Sequence, residues 1–360
     1  MIKPRLWLVP LAVGFVACGS DAGSGQKPPP AGLEITGTYA LASKIEVPPT
    51  VLASQAAVDF IALLRLLRDD PATAFFQALD QAGVPLVADL FAILPDVLKG
   101  EVGDAINDYW RSRVGAGGGN AELDQILAFA DGTLARFTLA SHLDIPASLD
   151  VTSQVDGAVD VRGHHAVDAV VFDAAGGIPV PLPRSLIESL PIVPGPLDAD
   201  PMLTLTAATA GHGDAAMTVG DHFFGLAYGE LIFAALNGAG TGETLRARLG
   251  RAFDCPAMGQ AVANRCVLLL CIGHASEITQ ICEQGLDLVV DKVHARLSEL
   301  SFRALRFEAG AAELWDARAA GGPVDGRVDR IDRGTFTKAS IDVGTGPRAC
   351  RATFSGERRP

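Results

Sequence analysis

Two hydrophobic periodicities share this chain, and the order in which they alternate restricts its fold more than any motif does. Residues 33–47, LEITGTYALASKIEV, alternate apolar with polar side chains and are rich in β-branched residues, so they read as a strand that Pro48 and Pro49 end. A helical block follows. Residues 51–68 are apolar around most of a helix circumference, with Gln55, Asp59, Arg65 and Arg68 on a narrow polar stripe. Asp70 and Pro71 are a cap and a first-turn proline, Gly83 ends that helix, and Pro85 opens a third that Pro95 kinks and Gly100 closes. Residues 101–114 form a fourth helix, the glycine-rich run 115–119 breaks the chain, and Asn120 caps a short fifth.

From about Arg136 the period changes to two. Residues 139–145, 149–155, 158–161 and 166–172 read as antiparallel strands with one wet face, turning at Asp156-Gly157 and Gly163-His164. A proline-rich connection over 178–201 holds a short amphipathic piece at 184–190, and strands resume at 202–209 and 215–226. A second helical region spans 228–300, and short strands run from there to Phe354. Strands and helices thus come in runs rather than singly, which predicts an α+β fold: an antiparallel, curved sheet packed against two helical blocks, its first strand joined to the last strands. Residues 33–360 are expected to form a single domain, with a division near 191–201 as the alternative.

The amino terminus sets a second constraint. Lys3 and Arg5 precede an apolar stretch over residues 6–17, too short to span a bilayer as a mature helix, and Phe15-Val16-Ala17-Cys18 resembles a bacterial lipobox. Residues 1–17 are then a lipoprotein signal, Cys18 is the lipidation site, and residues 18–32, rich in Gly, Ser and Pro, are a solvated tether. Gly19 after Cys18 favours the outer membrane. Acyl chains on Cys18 are the membrane attachment this reading implies.

With 49% hydrophobic residues the chain is globular rather than disordered, and its net charge of −13 argues against nucleic acid or an anionic membrane surface as partner. No run of Lys and Arg with interleaved aromatics offsets that charge in the sequence. Cys255, Cys266, Cys271 and Cys282 repeat one spacing, ten intervening residues in each pair. A continuous helix would hold such partners about 16 Å apart, so the bridges Cys255–Cys266 and Cys271–Cys282 require turns, which Gly259 and Gly273 supply, leaving Cys350 free. Sequence alone does not fix the pairing, and Cys350 is an alternative partner. Zinc needs the short CxxC pairs that are absent.

Chemistry-bearing motifs are sparse. There is no GxSxG, HExxH or GxxxxGK[ST], and His142, His164, His165, His212, His222, His274 and His294 are scattered along the chain. Adjacent His164 and His165 point to opposite faces of a strand, which prevents both from holding one ion. Asp325, Asp329 and Asp332 resemble the second half of a calcium loop, but Gly321 and Pro323 stand where the early ligands belong, and a turn is the plainer reading. Asp150, Asp156, Asp160, Asp168 and Asp173 read as a solvated strand face. The first helical block, from Val58 to Leu94, carries more apolar surface than one helix face needs, which points either to core or to an apolar cavity or groove between helices and sheet.

The segments GTYALASKIEV, DDPATAFFQALDQAGVP, ICEQGLDLVVDKV, DGRVDRIDRGTFT and ATFSGER resemble uncharacterised predicted lipoproteins of myxobacteria. The resemblance implies an envelope location and supplies no catalytic residue or cofactor. The expectation is a lipid-anchored, non-enzymatic envelope protein that binds an apolar ligand or lipid, with an interaction or structural role as the alternative and an unrecognised hydrolase behind both.

Overall fold

A computed structural model describes residues 33–82, 96–115, 120–146, 159–173, 179–191, 195–207, 213–238, 242–263, 266–267, 270–271, 275–300, 304–316, 325–342 and 346–360. Residues 32–360 form one compact unit. The fold is α+β, as the block order predicts. The first strand, β1 (Gly37–Glu46), is followed by α1 (Pro49–Leu52), α2 (Gln55–Asp69), α3 (Pro71–Ala82), α4 (Asp96–Gly115) and α5 (Asn120–Ala135). A meander of β2 (Arg136–Ile145), β3 (Val159–Arg162), β4 (His164–Asp173) and β5 (Pro179–Pro183) comes next, then α6 (Arg184–Ser189), β6 (Asp198–Ala199), β7 (Met202–Ala207), β8 (Ala215–Val219) and β9 (His222–Phe224). The second helical block holds α7 (Tyr228–Leu236), α8 (Leu245–Phe253), α9 (Cys255–Ala263), a ribbon of β10 (Cys266–Val267) and β11 (Leu270–Cys271), and α10 (Ala275–Ser298). Strands β12 (Ala304–Trp315), β13 (Arg330–Asp342) and β14 (Pro347–Arg358) end the chain.

The sheet is antiparallel throughout, and its register closes it on itself. β14 pairs with β1, β1 with β2, and β2 with β4. On its other edge β4 pairs with β6 at His165 and Ala199, β3 pairs with β7 at Arg162 and Met202, and the Gly163 amide donates to the Pro201 carbonyl between them. These form one continuous ladder, so the tight turn expected at Gly163-His164 is absent and β3 and β4 are a single strand. Gly163 fits there because a Cβ would press on Leu203 and Leu143. β8 and β9 likewise share one register against β12, and β12, β13 and β14 complete the circuit. The outcome is an eight-stranded up-and-down barrel in which every strand lies beside its sequence neighbour and the last meets the first.

Alternate residues of each strand fill the interior: Tyr39, Leu41 and Ile45 from β1, Phe137, Leu139 and Leu143 from β2, Phe307 and Leu314 from β12, Phe336 and Ile341 from β13. Curvature is concentrated at bulges, where Ala309 and Arg333 take left-handed backbone angles (φ 52° and 51°). Inward-facing Gly310 and Gly334 leave the space that Phe336 and Phe354 occupy. The buried sheet face packs partly on itself and, at one end, against the helical blocks, as expected. The final strands are long, 12, 13 and 12 residues, rather than short. Such lengths are what a closed barrel needs to stagger its register.

Both helical blocks leave the same rim, one between β1 and β2 and the other between β9 and β12. They meet the barrel through α5 against β2 and β4, and through α7 against β5. Tyr228 opens α7, packs on Phe137 and Phe172 inside that rim, and donates its hydroxyl to the Thr133 carbonyl of α5. The Asp70 carboxylate accepts from the Thr73 amide at 3.1 Å and caps α3 as its position predicted. Two helix boundaries differ from expectation: α4 runs unbroken through Gly100, and α5 is 16 residues long rather than short. A Cβ at Gly100 would meet no neighbour within 4 Å, so no packing constraint interrupts the helix there. The expected strand 149–155, the Asp156-Gly157 turn and the segment Gly83 to Pro95 lie outside the described residues.

The disulfide pairing also differs. Cys255 is joined to Cys282, across 27 residues, in place of Cys255–Cys266 and Cys271–Cys282. Gly259 is the cause, though not as a turn: it lies inside α9, and a Cβ there would collide with Thr279 Oγ1 and the Ala275 carbonyl of α10. Its bare Cα lets the two helices touch, and Cys255 at the start of α9 then reaches Cys282 one turn beyond Thr279. In the ribbon, Cys266 is the register partner of Cys271. Cys350 is a free, half-buried thiol whose pKa burial pushes up to about 12.

Candidate functional site

Polar residues in the apolar phase of the strands are the most informative side chains of the barrel. β2 turns Phe137, Leu139, Ser141, Leu143 and Ile145 inward, so Ser141 takes a place its neighbours give to large apolar groups. β4 turns His165 inward beside Val167, with Asp168 left over as a bulge opposite Ala140 and Ser141. β9 brings His222 in from a third strand. Ser141 Oγ lies 2.8 Å from His165 Nε2, His165 Nδ1 lies 3.0 Å from His222 Nε2, and His222 Nδ1 lies 2.9 Å from the Gly220 carbonyl oxygen.

The carbonyl end fixes every proton in this chain. A carbonyl only accepts, so His222 donates from Nδ1 and, being neutral, accepts at Nε2. His165 must then donate from Nδ1 and accept at Nε2, and the Ser141 hydroxyl donates to it. All the donors point toward Gly220. Burial holds the pKa of His165 well below the usual imidazole range, with the His222 charge a smaller cause, and burial lowers that of His222 as well. The rings sit in an aromatic box: Phe224 meets His165 edge-on at 4.9 Å, and Phe307 and Phe336 lie 5.3 and 5.9 Å from His222.

The polarity of the chain is that of a serine with its general base, and the base is steered by a third group as in a hydrolytic triad. Ser141 and His165 are each only 2% exposed, however, among side chains that fill the barrel. A carbonyl substrate has no approach to a hydroxyl so enclosed. The arrangement satisfies all its buried polar atoms and acts as a structural polar core.

The expected opposition of His164 and His165 is present. His164 lies on the outer wall, 2.9 Å from Asp200, and His142 beside it contacts Asp168 at 2.7 Å, whose other oxygen accepts from Arg359. Four of the histidines are thus gathered on one side of the barrel rather than scattered. His294 stacks on Phe233 and contacts the buried Glu230, which also accepts from Ser298, so these carboxylate oxygens are satisfied between α7 and α10. His212 and His274 lie outside the described residues.

Asp325, Asp329 and Asp332 do not converge. The Asp325 and Gly326 amides donate to the buried Asp316 carboxylate, Asp325 accepts from the Arg327 amide, and Asp332 accepts from the Arg333 amide and pairs with Arg330. These contacts shape a turn, with Gly326 at φ 85°. Among the described residues no group of three or more His, Cys, Asp or Glu is placed to hold a metal ion. Asp160 of the acidic strand group accepts from Thr204 on the barrel wall.

The first helical block divides into core and groove. Phe60, Leu64, Leu67, Phe75 and Leu79 are fully buried and belong to the core. On the other side of α2 a groove of about 560 Å³ runs between α1, α2 and α5. Ala57 and Leu134 form its buried base, and Leu52, Val58, Ile61 and Leu66 its apolar walls. Val58 is 49% exposed at a position where the helix would otherwise carry a polar residue. Arg65, Asp69 and Asp131 are the charged groups on the lining. The groove lies between helices, not between helices and sheet. No known family, curated protein or solved structure matches the chain.

Proposed function

We propose that the protein is an exported, non-enzymatic lipoprotein, acylated at Cys18, whose helical cap takes an apolar chain in the groove between α1, α2 and α5. The observation that carries this reading is the groove itself. Its volume falls within the range of small-molecule sites, its walls are apolar, and its charged residues are few, a composition that suits an acyl or other hydrocarbon chain with a polar end near Arg65, Asp69 and Asp131. The Cys255–Cys282 bridge and the lipobox resemblance at Cys18 agree with an extracytoplasmic setting.

Mass spectrometry of an organic extract of the purified protein is expected to find a single-chain lipid at stoichiometric level. A fluorescent fatty acid should bind the delipidated protein, and Ile61→Glu should weaken that binding at least about tenfold by placing a carboxylate on the apolar wall. An empty extract, together with equal probe binding by parent and variant, would support the envelope-interaction alternative instead. Palmitate labelling that vanishes in Cys18→Ser tests the anchor separately.

A further inference from the structure

The outer wall of the barrel carries a cationic band that no stretch of sequence reveals. On the rim-proximal half, the outward rows of β1, β14, β13 and β12 present Lys44, Arg351, Lys338 and Arg306, all exposed. These rows are neighbours: Lys44 pairs with Thr353, Thr353 with Thr335, Lys338 with Glu308, and Arg306 with Ser340. Glu46, Glu308 and Asp342 share them, as does Arg136 of β2, so cations outnumber carboxylates five to three on a chain whose net charge is −13. Arg351 reaches Glu46 only at 3.9 Å, and among the described residues Lys44, Arg306 and Lys338 are in no ion pair.

A second observation sits at the end of the band. Phe223, 43% exposed on β9, lies under the Arg306 guanidinium at 5.6 Å, and Met202, 44% exposed, stands on β7 nearby. Cations beside an outward aromatic and a flexible apolar side chain are the surface chemistry of a membrane interface. We infer that this wall docks on an anionic lipid surface. The rest of the acidic body is repelled by such a surface, so the band fixes which side faces it. Resting on the Cys18 reading, the 14 residues 19–32 span at most about 50 Å when extended, which keeps the wall within reach of the leaflet and lets weak attraction suffice. The repulsion expected from net charge is offset locally by cations drawn from five strands, two near the start of the fold and three near its end.

The test uses the mature chain carrying Cys18→Ser, so that no acyl group holds it to lipid. It should float with vesicles of phosphatidylcholine mixed with phosphatidylglycerol, less so at high salt, and not with phosphatidylcholine alone. Removing Lys44, Arg306, Lys338 and Arg351 together as Gln should weaken partitioning by about fivefold for each cation lost. Phe223→Ser should weaken it further, and the charge-keeping Lys44→Arg, Lys338→Arg pair should float like the parent. Equal flotation with neutral and anionic vesicles, an unchanged quadruple variant, a charge-keeping pair that fails to float, or retention by duplex DNA without vesicle binding would each overturn the inference. Failure here leaves acylation standing, since palmitate labelling of the unmodified chain scores that alone.

Discussion

Between about pH 6.5 and pH 5 the protein is expected to lose stability steeply, with a slope that traces to His165 and His222. Both imidazoles are neutral in the barrel because burial depresses their folded pKa values. In the unfolded chain they titrate near the ordinary value, about 6.5. Above that value neither state is protonated and the neutral pair contributes fully. As pH falls below it the unfolded chain takes up protons that the folded chain does not, which costs about 1.4 kcal/mol per pH unit for each histidine until its folded pKa is reached. The carboxylates held low by partners, Asp70 by its Thr73 and Asn107 hydrogen bonds and Asp198 by Arg184, release their contribution only at more acidic pH, so the window belongs mainly to imidazole. Chemical denaturation at a series of pH values measures the slope. His165→Gln, whose carboxamide can accept from Ser141 and donate to His222, should remove one proton's share of it. An identical slope in parent and His165→Gln would show that the buried pair is not what acid attacks.

Loss of the Cys255–Cys282 bridge is expected to cost about 3–4 kcal/mol, the chain-entropy value for a closed loop of its 27-residue separation. Both residues are buried, so the comparison is cleanest between oxidised parent and Cys255→Ala/Cys282→Ala, read from the denaturation midpoint. Digestion without reductant should yield one peptide pair linking 255 to 282. Recovery of a 255–266 link would refute the packing of α9 on α10. Gly259→Val should weaken the same contact, since its side chain would meet the Ala275 carbonyl and Thr279, and the bridge should then become easier to reduce.

How much of this was legible in the sequence depends on the range of the contact involved. The block order, the strand phases and the Asp70–Pro71 helix start are local, and periodicity and capping chemistry carry them. Closure of the sheet is not local. It rests on β3 and β4 acting as one strand through Gly163, a glycine whose sequence neighbourhood reads as a turn. The disulfide failed for the same reason: spacing arguments favour near partners, whereas a helix–helix contact at Gly259 selects a distant one. The Ser141–His165–His222 chain did leave a trace, because Ser141 and His165 stand in the inward phase of strands whose other inward residues are apolar. Asking which polar residues fall in the apolar phase would have returned them, together with Ser43 of β1. The cationic band left none, since Lys44 and Arg136 stand far along the chain from Arg306, Lys338 and Arg351 and only strand pairing brings them together.

Because β14 seals against β1, the ring is joined by two strands about 300 residues apart along the chain. Until β14 has been made, β1 has one hydrogen-bonding edge open and must wait through two helical excursions for its second partner. Assembly of the ring is thus timed by the synthesis of β14, and a holding chaperone for the nascent chain would have most to do at those two unclosed edges.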